Sequence, residues 1–309
     1  MNAPAAPSLA VNVGGLAMRN PVTVASGTFG YGVEYADWID VRRLGAITVK
    51  GIRLDPWPGN PLPRHVEVPG GMLNAIGLQG PGVAGFIEQY LPRLRDFGVP
   101  VIVNIWGTTL DEYAEVAARL SDAPGVAALE INVSCPNVKA GGSSFGTDPA
   151  TMAAVVAAVR RRTKLPVIPK LAPNVPAMGP FARAAADAGA DALSLVNTLP
   201  AMVIDIERRR PVLANRVGGL SGACIHPVAV KHVYDAAQAV KLPIIAMGGI
   251  QEAREAIEFL IAGATAVAVG TANFIDPATP LRVIDGIRDY LVRHQMRDVA
   301  QLTGSLAVS

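Results

Sequence analysis

The sequence predicts an α/β fold, a closed (β/α)8 TIM barrel with loop insertions over its C-terminal face. Three observations carry that expectation. Eight short apolar, β-branched runs recur along the 309 residues. Segments of helical periodicity lie between them. The runs also lack the polar alternation of a half-solvated sheet, as parallel strands covered on both faces require. A parallel strand needs a crossover to reach its neighbour, and closing such a sheet on itself removes both edges.

In order, the runs are VTVASG (22–27), AITVKG (46–51), VIVNIWG (101–107), ALEINVSC (128–135), VIPKLAP (167–173), ALSLVNT (192–198), IIAMGG (244–249) and AVAVGT (266–271). Helices are predicted over 111–120 and 148–162, each opening on an aspartate, which suits the N-terminal end of a helix. A third, over 252–262, stops at Gly263, a C-cap signal. DAGAD (187–191) and AGAT (262–265) read as turns back into the next strand. Connections 52–100 and 199–243 exceed a simple crossover, and insertions of that kind cover a ligand or contact a partner. The first contains GNPLPRHVEVPGGMLNAIGLQGPG, whose Gly, Pro and Asn content predicts a shaped loop or small β-subdomain. No linker divides the chain, so residues 1–309 are expected to form one domain, with 1–8 as a disordered extension.

Composition excludes several functions. Half the residues are apolar, 17% are charged and the net charge is +2. The basic residues are scattered, with short clusters only at 160–162 and 208–210, so a nucleic-acid surface is not expected. Two cysteines, Cys135 and Cys224, are too few for a disulfide framework or an iron–sulfur cluster, which fits a reducing, cytoplasmic setting. The start, MNAPAAPSLA, lacks the basic and apolar regions of a signal peptide. No uninterrupted apolar run reaches the ~18 residues of a membrane span. The four histidines, His65, His226, His232 and His294, fall in loops or helices away from the strand ends, without metal-ligand spacing.

Chemistry in such barrels sits at the C-terminal ends of the strands. Here those ends carry Ser26, Lys50, Asn104, Asn132 with Cys135, Lys170, Asn197 with Thr198, Gly248–Gly249, and Gly270–Thr271. Two lysines, three asparagines and no carboxylate predict a ligand rich in acceptors and negative charge. Glycines at the seventh and eighth strand ends predict a phosphate seat built from backbone N–H groups. Lys50 and Lys170 each finish an apolar strand, where an unpaired ammonium is costly, so both are expected to pair with ligand anions.

Cys135 follows Asn132 by three residues and is held by Pro136 at the root of a Gly-rich segment. A thiol of ordinary pKa near ~8.5 accepts a proton at mildly alkaline pH, more readily beside lysines. Cys224, within GLSGACIHP, reads as packing. A lyase remains open on these residues, with Lys50 or Lys170 forming a Schiff base to a sugar phosphate seated on Gly248 and Gly270.

The ordered set NPVTVASGTFGYG, TVKG, NAIGLQGPG, INVSCPNVKAGG, PKLAPN, VNT, ANRVGGLSG, MGGI and AVGTANF, spanning residues 10 to 277, resembles the catalytic subunit of the class 1B dihydroorotate dehydrogenases. A cysteine in the CPN motif is similar to the class 1 enzymes, whereas the membrane-associated class 2 enzymes carry serine. The resemblance implies FMN over the barrel mouth, bound by Ser26, Lys50, Gly51, Asn104, Asn132, Lys170, Val196, Gly222, Gly248, Gly249, Gly270 and Thr271. It implies (S)-dihydroorotate held by Lys50, Asn74, Ala75, Ile76, Gly77, Leu78, Asn132, Asn137, Asn197 and Thr198. Cys135 is then the base that takes the C5 proton while hydride leaves C6 for the flavin, and segment 138–145 closes over the substrate.

The resemblance also implies orotate formation in de novo pyrimidine (UMP) biosynthesis, a homodimer, and electron transfer to NAD through a partner subunit carrying FAD and a [2Fe–2S] cluster. Related readings are a class 1A, fumarate-linked enzyme and a dihydropyrimidine dehydrogenase, whose uracil-type substrate has no carboxylate for Lys50. Two departures lie beside the expected site. Ala172 stands where relatives usually have serine, and IWG follows Asn104 in place of smaller residues.

Overall fold

The computed structural model describes residues 6–133 and 146–307. Its centre is an eight-stranded parallel sheet of β1 (Val22–Val24), β2 (Ile47–Ile52), β3 (Val101–Ile105), β4 (Val126–Asn132), β5 (Val167–Leu171), β6 (Leu193–Leu195), β7 (Ile244–Ala246) and β8 (Ala266–Val269). All eight predicted runs are strands, and each pairs with its sequence neighbour from β2 round to β8, which returns to β1. At the remaining seam the Gly45 N–H donates to Val22 O at 2.8 Å and Thr23 Oγ1 donates to Ala46 O at 2.9 Å. The sheet is therefore a closed barrel, as expected.

Strand alternation sorts the interior into layers. At the N-terminal end an antiparallel hairpin, Val11–Val13 with Leu16–Met18, seals the barrel. Its Val13, Leu16 and Met18 cluster with Ala46, Ile102, Ala128, Ile168, Ala192, Ile245 and Ala266. Two residues further along the strands the interior turns polar, with Thr23, Thr48, Asn104, Glu130, Lys170 and Ser194 all buried. Strands apolar throughout were expected, and the outward faces and the lowest layer meet that expectation. The middle layer does not, because its polar groups satisfy one another.

The helices follow the expected places with shifted ends. Leu110–Ser121 is capped by Thr109, whose hydroxyl accepts from the Glu112 N–H at 3.1 Å, and not by Asp111, which lies in the first turn. Pro149–Arg160 is capped by Asp148, and Ala253–Ala262 begins with a Glu252–Glu255 capping box and ends at Gly263. The first crossover departs from a strand–helix unit. It consists of two 3₁₀ turns, Val33–Tyr35 and Val41–Arg43, packed through buried Phe29, Tyr31 and Val33.

Both long connections contribute to one structure. From the first come His65–Val68 and Gly71–Asn74; from the second come Leu199–Ala201 and Gly218–Ser221. These four strands form a single antiparallel sheet in which Asn74 pairs with Gly219. The β-subdomain expected of the first insertion thus requires the second for half of its strands. Of the leader expected to be disordered, Ser8 is tied down: its N–H donates to Arg297 O at 2.9 Å and its carbonyl accepts from Val299 N–H at 3.0 Å. Among the described residues no helix is long and apolar enough to cross a membrane.

Candidate active site

The strand ends converge at the barrel mouth, and the polar layer beneath them forms its floor. Lys170 Nζ, at the end of β5, donates to Ser26 Oγ beyond β1 at 3.2 Å. Asn132 Oδ1 accepts from Asn197 Nδ2 at 3.2 Å, and Asn197 Oδ1 accepts from the Thr198 N–H at 2.8 Å, so these three make one polar row. Thr198 packs directly on Gly219, where a Cβ would lie 2.0 Å from the threonine Oγ1. Asn74 reaches the same strand, its Nδ2 lying 3.5 Å from Gly219 O. Residues on four separate segments, with Asn74 and Gly219 145 positions apart, therefore meet on one side of the mouth.

Lys50 and Gly51 stand on β2. The backbone N–H of Lys50 donates to Gly30 O at 2.9 Å, and its side chain is half-buried. Burial, with Arg64 nearby, holds the Lys50 ammonium below the ordinary lysine range against the opposing pull of Glu34. Gly51 faces Asn104 Oδ1, Trp106 and Leu78, which lie 3.0, 3.2 and 3.5 Å from the position of an added Cβ. Ala75, Ile76 and Gly77 border Asn60 and Arg64: the Ala75 N–H donates to Arg64 O at 2.7 Å and Ile76 O accepts from the Asn60 N–H at 3.0 Å. Val196 is buried just after β6, its N–H donating to Met247 O at 3.1 Å.

The glycines after β7 and β8 meet a third turn. Gly249 has φ of +76°, and a Cβ there would lie 2.7 Å from His226 Cβ and 3.0 Å from Gly222 O. No larger residue fits at this junction without displacing one of the loops. Thr271, next to Gly270, donates from Oγ1 to Ser221 Oγ at 2.8 Å. His226 braces the assembly from outside, with Nδ1 2.8 Å from Gly248 O and Nε2 2.9 Å from Glu258 Oε2. Gly222, Gly248 and Gly249 thus pack tightly against neighbouring chain, and the Ser221 and Thr271 hydroxyls meet beside them.

Several participants escaped sequence reasoning. The absence of carboxylates predicted for the strand ends does not extend to the whole polar layer, which holds Glu130. Its Oε2 accepts from Asn104 Nδ2 at 2.6 Å and lies 3.8 Å from Lys170 Nζ, while its Oε1 accepts from Ser194 Oγ at 2.7 Å. A lone acid in the run ALEIN, two residues before Asn132 and so on the same face, was the available signal.

The departure at IWG also has a structural content. Trp106 is buried beside Gly51, and Arg53 lies between two indoles, 4.9 Å from Trp106 and 4.8 Å from Trp57, with its guanidinium 2.5 Å from Glu112. Cys224, expected to serve packing, is instead exposed, with its backbone N–H donating to Gly70 O at 3.0 Å. The surface position follows from the joint sheet, whose Gly70–Gly71 turn occupies the ground beneath it. Cys135, Asn137 and segment 138–145 lie outside the described residues. Among the described residues no group of three or more His, Cys, Asp or Glu side chains could hold a metal ion.

Comparison with known proteins gives a consistent assignment. The family model described as dihydroorotate dehydrogenase matches residues 8–291. The chain is 57% identical to "Dihydroorotate dehydrogenase B (NAD(+)), catalytic subunit" of Citrifermentans bemidjiense over 300 residues, covering 97% of this chain and 98% of that protein. It is 57% identical to the protein of that description from Desulforudis audaxviator, covering 96% of each, and 56% identical to that of Geobacter sp. strain M21, covering 97% and 98%. The barrel, the mouth built from its strand ends and these matches along nearly the whole length establish that the chain belongs to the dihydroorotate dehydrogenase family.

Proposed function

We propose that this chain folds as one flavin-binding unit that oxidises (S)-dihydroorotate to orotate in pyrimidine biosynthesis. FMN is its resident cofactor, Cys135 its base, and NAD the final acceptor through a second, FAD- and iron–sulfur-bearing subunit. The observation that carries the reading is the meeting of three features at one mouth. These are the closely packed glycine turns after β7 and β8, the buried Lys170 and Asn104 on the floor, and the Asn132–Asn197–Thr198 row beside them.

The residues present fit the group. A phosphate matches the backbone N–H groups of the turns after β7 and β8, with the Ser221 and Thr271 hydroxyls beside them. A flat ring with carbonyl and N–H edges matches Asn104, and an ammonium at Lys170 suits a ring that gains negative charge. When bound, the flavin supplies the two-electron acceptor for the hydride leaving C6 of the substrate.

The chain's own groups do the rest. Cys135, as thiolate, removes the proton from C5. Lys50 pairs with the substrate carboxylate, a charge-assisted contact that uracil-type substrates cannot make. Asn132 and Asn197 meet the imide edge, since each amide offers a donor and an acceptor. Segment 138–145 excludes water when it closes. The cytoplasm, a homodimer and the second subunit complete the proposal. The "catalytic subunit" in the relatives' names supports a partner.

Turnover assays with dihydroorotate or dihydrouracil, and with fumarate or NAD, test the reading. Dihydroorotate oxidation that reaches NAD only when the co-purified partner is present is expected. Preference for dihydrouracil, or full activity with fumarate alone, contradicts the corresponding part.

Two further outcomes follow from the geometry. The cationic form of Lys50 binds the carboxylate, and that form is lost as pH rises through a value depressed by burial. KM for dihydroorotate is therefore expected to climb at a lower alkaline pH than an ordinary lysine imposes. Lys50→Gln should flatten that limb and raise KM at neutral pH roughly ten- to a hundredfold, from a charged hydrogen bond of ~1.5–3 kcal/mol. Gly219→Ala drives a methyl into Thr198, so KM should rise roughly tenfold through loss of about one hydrogen bond, with FMN content unchanged. A steady KM in either variant counts against the assigned contact.

A further inference from the structure

Glu130 is the one carboxylate buried among the described residues, and the proposed reaction gives it no part. It is 2% exposed, on β4, directly opposite Asn104 on β3. Its two oxygens are used differently. Oε1 accepts from Ser194 Oγ at 2.7 Å, and Oε2 accepts from Asn104 Nδ2 at 2.6 Å. Lys170 Nζ stands 3.8 Å from Oε2, beyond hydrogen-bond length, and donates to Ser26 Oγ at 3.2 Å instead.

Two consequences follow from elementary chemistry. A carboxylate only accepts, so the amide of Asn104 must turn its NH2 downward, which leaves Oδ1 facing the mouth beside Gly51. Asn104 thereby becomes an acceptor for a ring N–H. The charge of Lys170 is also offset from below, while its remaining donors stay free for a ligand because the carboxylate does not hydrogen-bond it. The pair beneath the mouth thus carries no net charge.

We propose that Glu130 is a positioning residue of the flavin site: from within the floor it fixes which edge of Asn104 faces the ring and moderates the field that Lys170 exerts on it. This rests on the FMN reading above. It predicts a direction that simple packing does not. Glu130→Gln keeps the shape, accepting from Asn104 through its carbonyl and donating to Ser194 through its amide. It removes the negative charge, so net +1 then lies beneath the ring and reduction becomes easier.

The test is a redox titration of FMN-loaded wild type and E130Q, with thermal unfolding and FMN affinity measured alongside. The expected result is an equilibrium for two-electron reduction at least tenfold more favourable in E130Q, an upward shift of about 30 mV. Glu130→Leu, which also frees Asn104 to turn over, should lose FMN affinity at least tenfold relative to E130Q. A folded, FMN-loaded E130Q at the wild-type potential overturns the proposal, as does a downward shift, or equal FMN affinity in E130Q and Glu130→Leu. Should E130Q fail to fold, E130Q combined with Lys170→Met removes both charges together, must fold, and must show the upward shift relative to Lys170→Met alone. Failure of both variants assigns Glu130 to stability alone and overturns the role. Wild-type protein that takes up no FMN overturns the parent reading as well, so the two failures are distinguishable.

Discussion

Replacing Cys135 by alanine is expected to slow dihydroorotate-dependent flavin reduction by about 10²- to 10⁴-fold while FMN stays bound, the usual worth of a positioned base. The floor of the mouth carries Lys170, Asn104 and Ser26, and its side wall Asn132, Asn197 and Thr198. The asparagines and threonine have no basic form near neutral pH, and the lysines serve as cations. Glu130 is buried within the floor, its two oxygens already accepting from Asn104 and Ser194. On the proposed reading the proton goes to Cys135, three residues beyond Asn132 in the sequence. Its ionisation sets the sign of the pH dependence: the thiolate is the active form, so flavin reduction by wild type should rise with pH and level off once the thiol is titrated. Rapid-mixing measurements of flavin absorbance across the neutral range check both outcomes. Near-wild-type reduction by Cys135→Ala at pH 7 removes the thiol from its role.

The second large effect is expected at Lys170. Lys170→Met should slow flavin reduction by roughly 10²- to 10³-fold, comparable to losing one electrostatic stabiliser of developing charge. It should also cost about 3 kcal/mol of stability, the low end for breaking a buried pair, because it strands Glu130 without its cation. Side-chain exposures of 6% and 3% leave water little access to either group. Adding E130Q should recover most of the stability and little of the rate. Equilibrium unfolding of the two single variants and the double variant forms the cycle that checks this. Equal stability of Lys170→Met and wild type contradicts the account of the polar layer.

The barrel was legible because its strands announce themselves. A run such as AVAV has no reason to be apolar on both faces except burial between helices and an interior.

Elements built from distant partners were not legible. Asn74 and Gly219 pair across 145 residues, so the shared four-stranded sheet leaves no local trace, and neither does the exposure of Cys224 that follows from it. Glu130 reads as an anomaly in an apolar strand until Asn104 and Ser194, 26 and 64 residues away, are placed against it. The first crossover resists a helical reading for a packing reason. Gly30 and Gly32 take positive φ, and a Cβ on Gly32 would lie 2.9 Å from Ile47. At the helix over 110–121, a local choice was simply close: Thr109 and Asp111 are both competent caps, and the extended backbone falls at Thr109.

The central claim is that dihydroorotate gives a hydride to a flavin lying over this mouth. Anaerobic mixing of the purified, FMN-loaded protein with dihydroorotate tests it most directly, following flavin absorbance and orotate in one experiment. The account predicts bleaching within a single turnover with one orotate formed per flavin, and no bleaching by dihydrouracil. A flavin that stays oxidised with dihydroorotate, or a protein that holds no flavin at all, contradicts it.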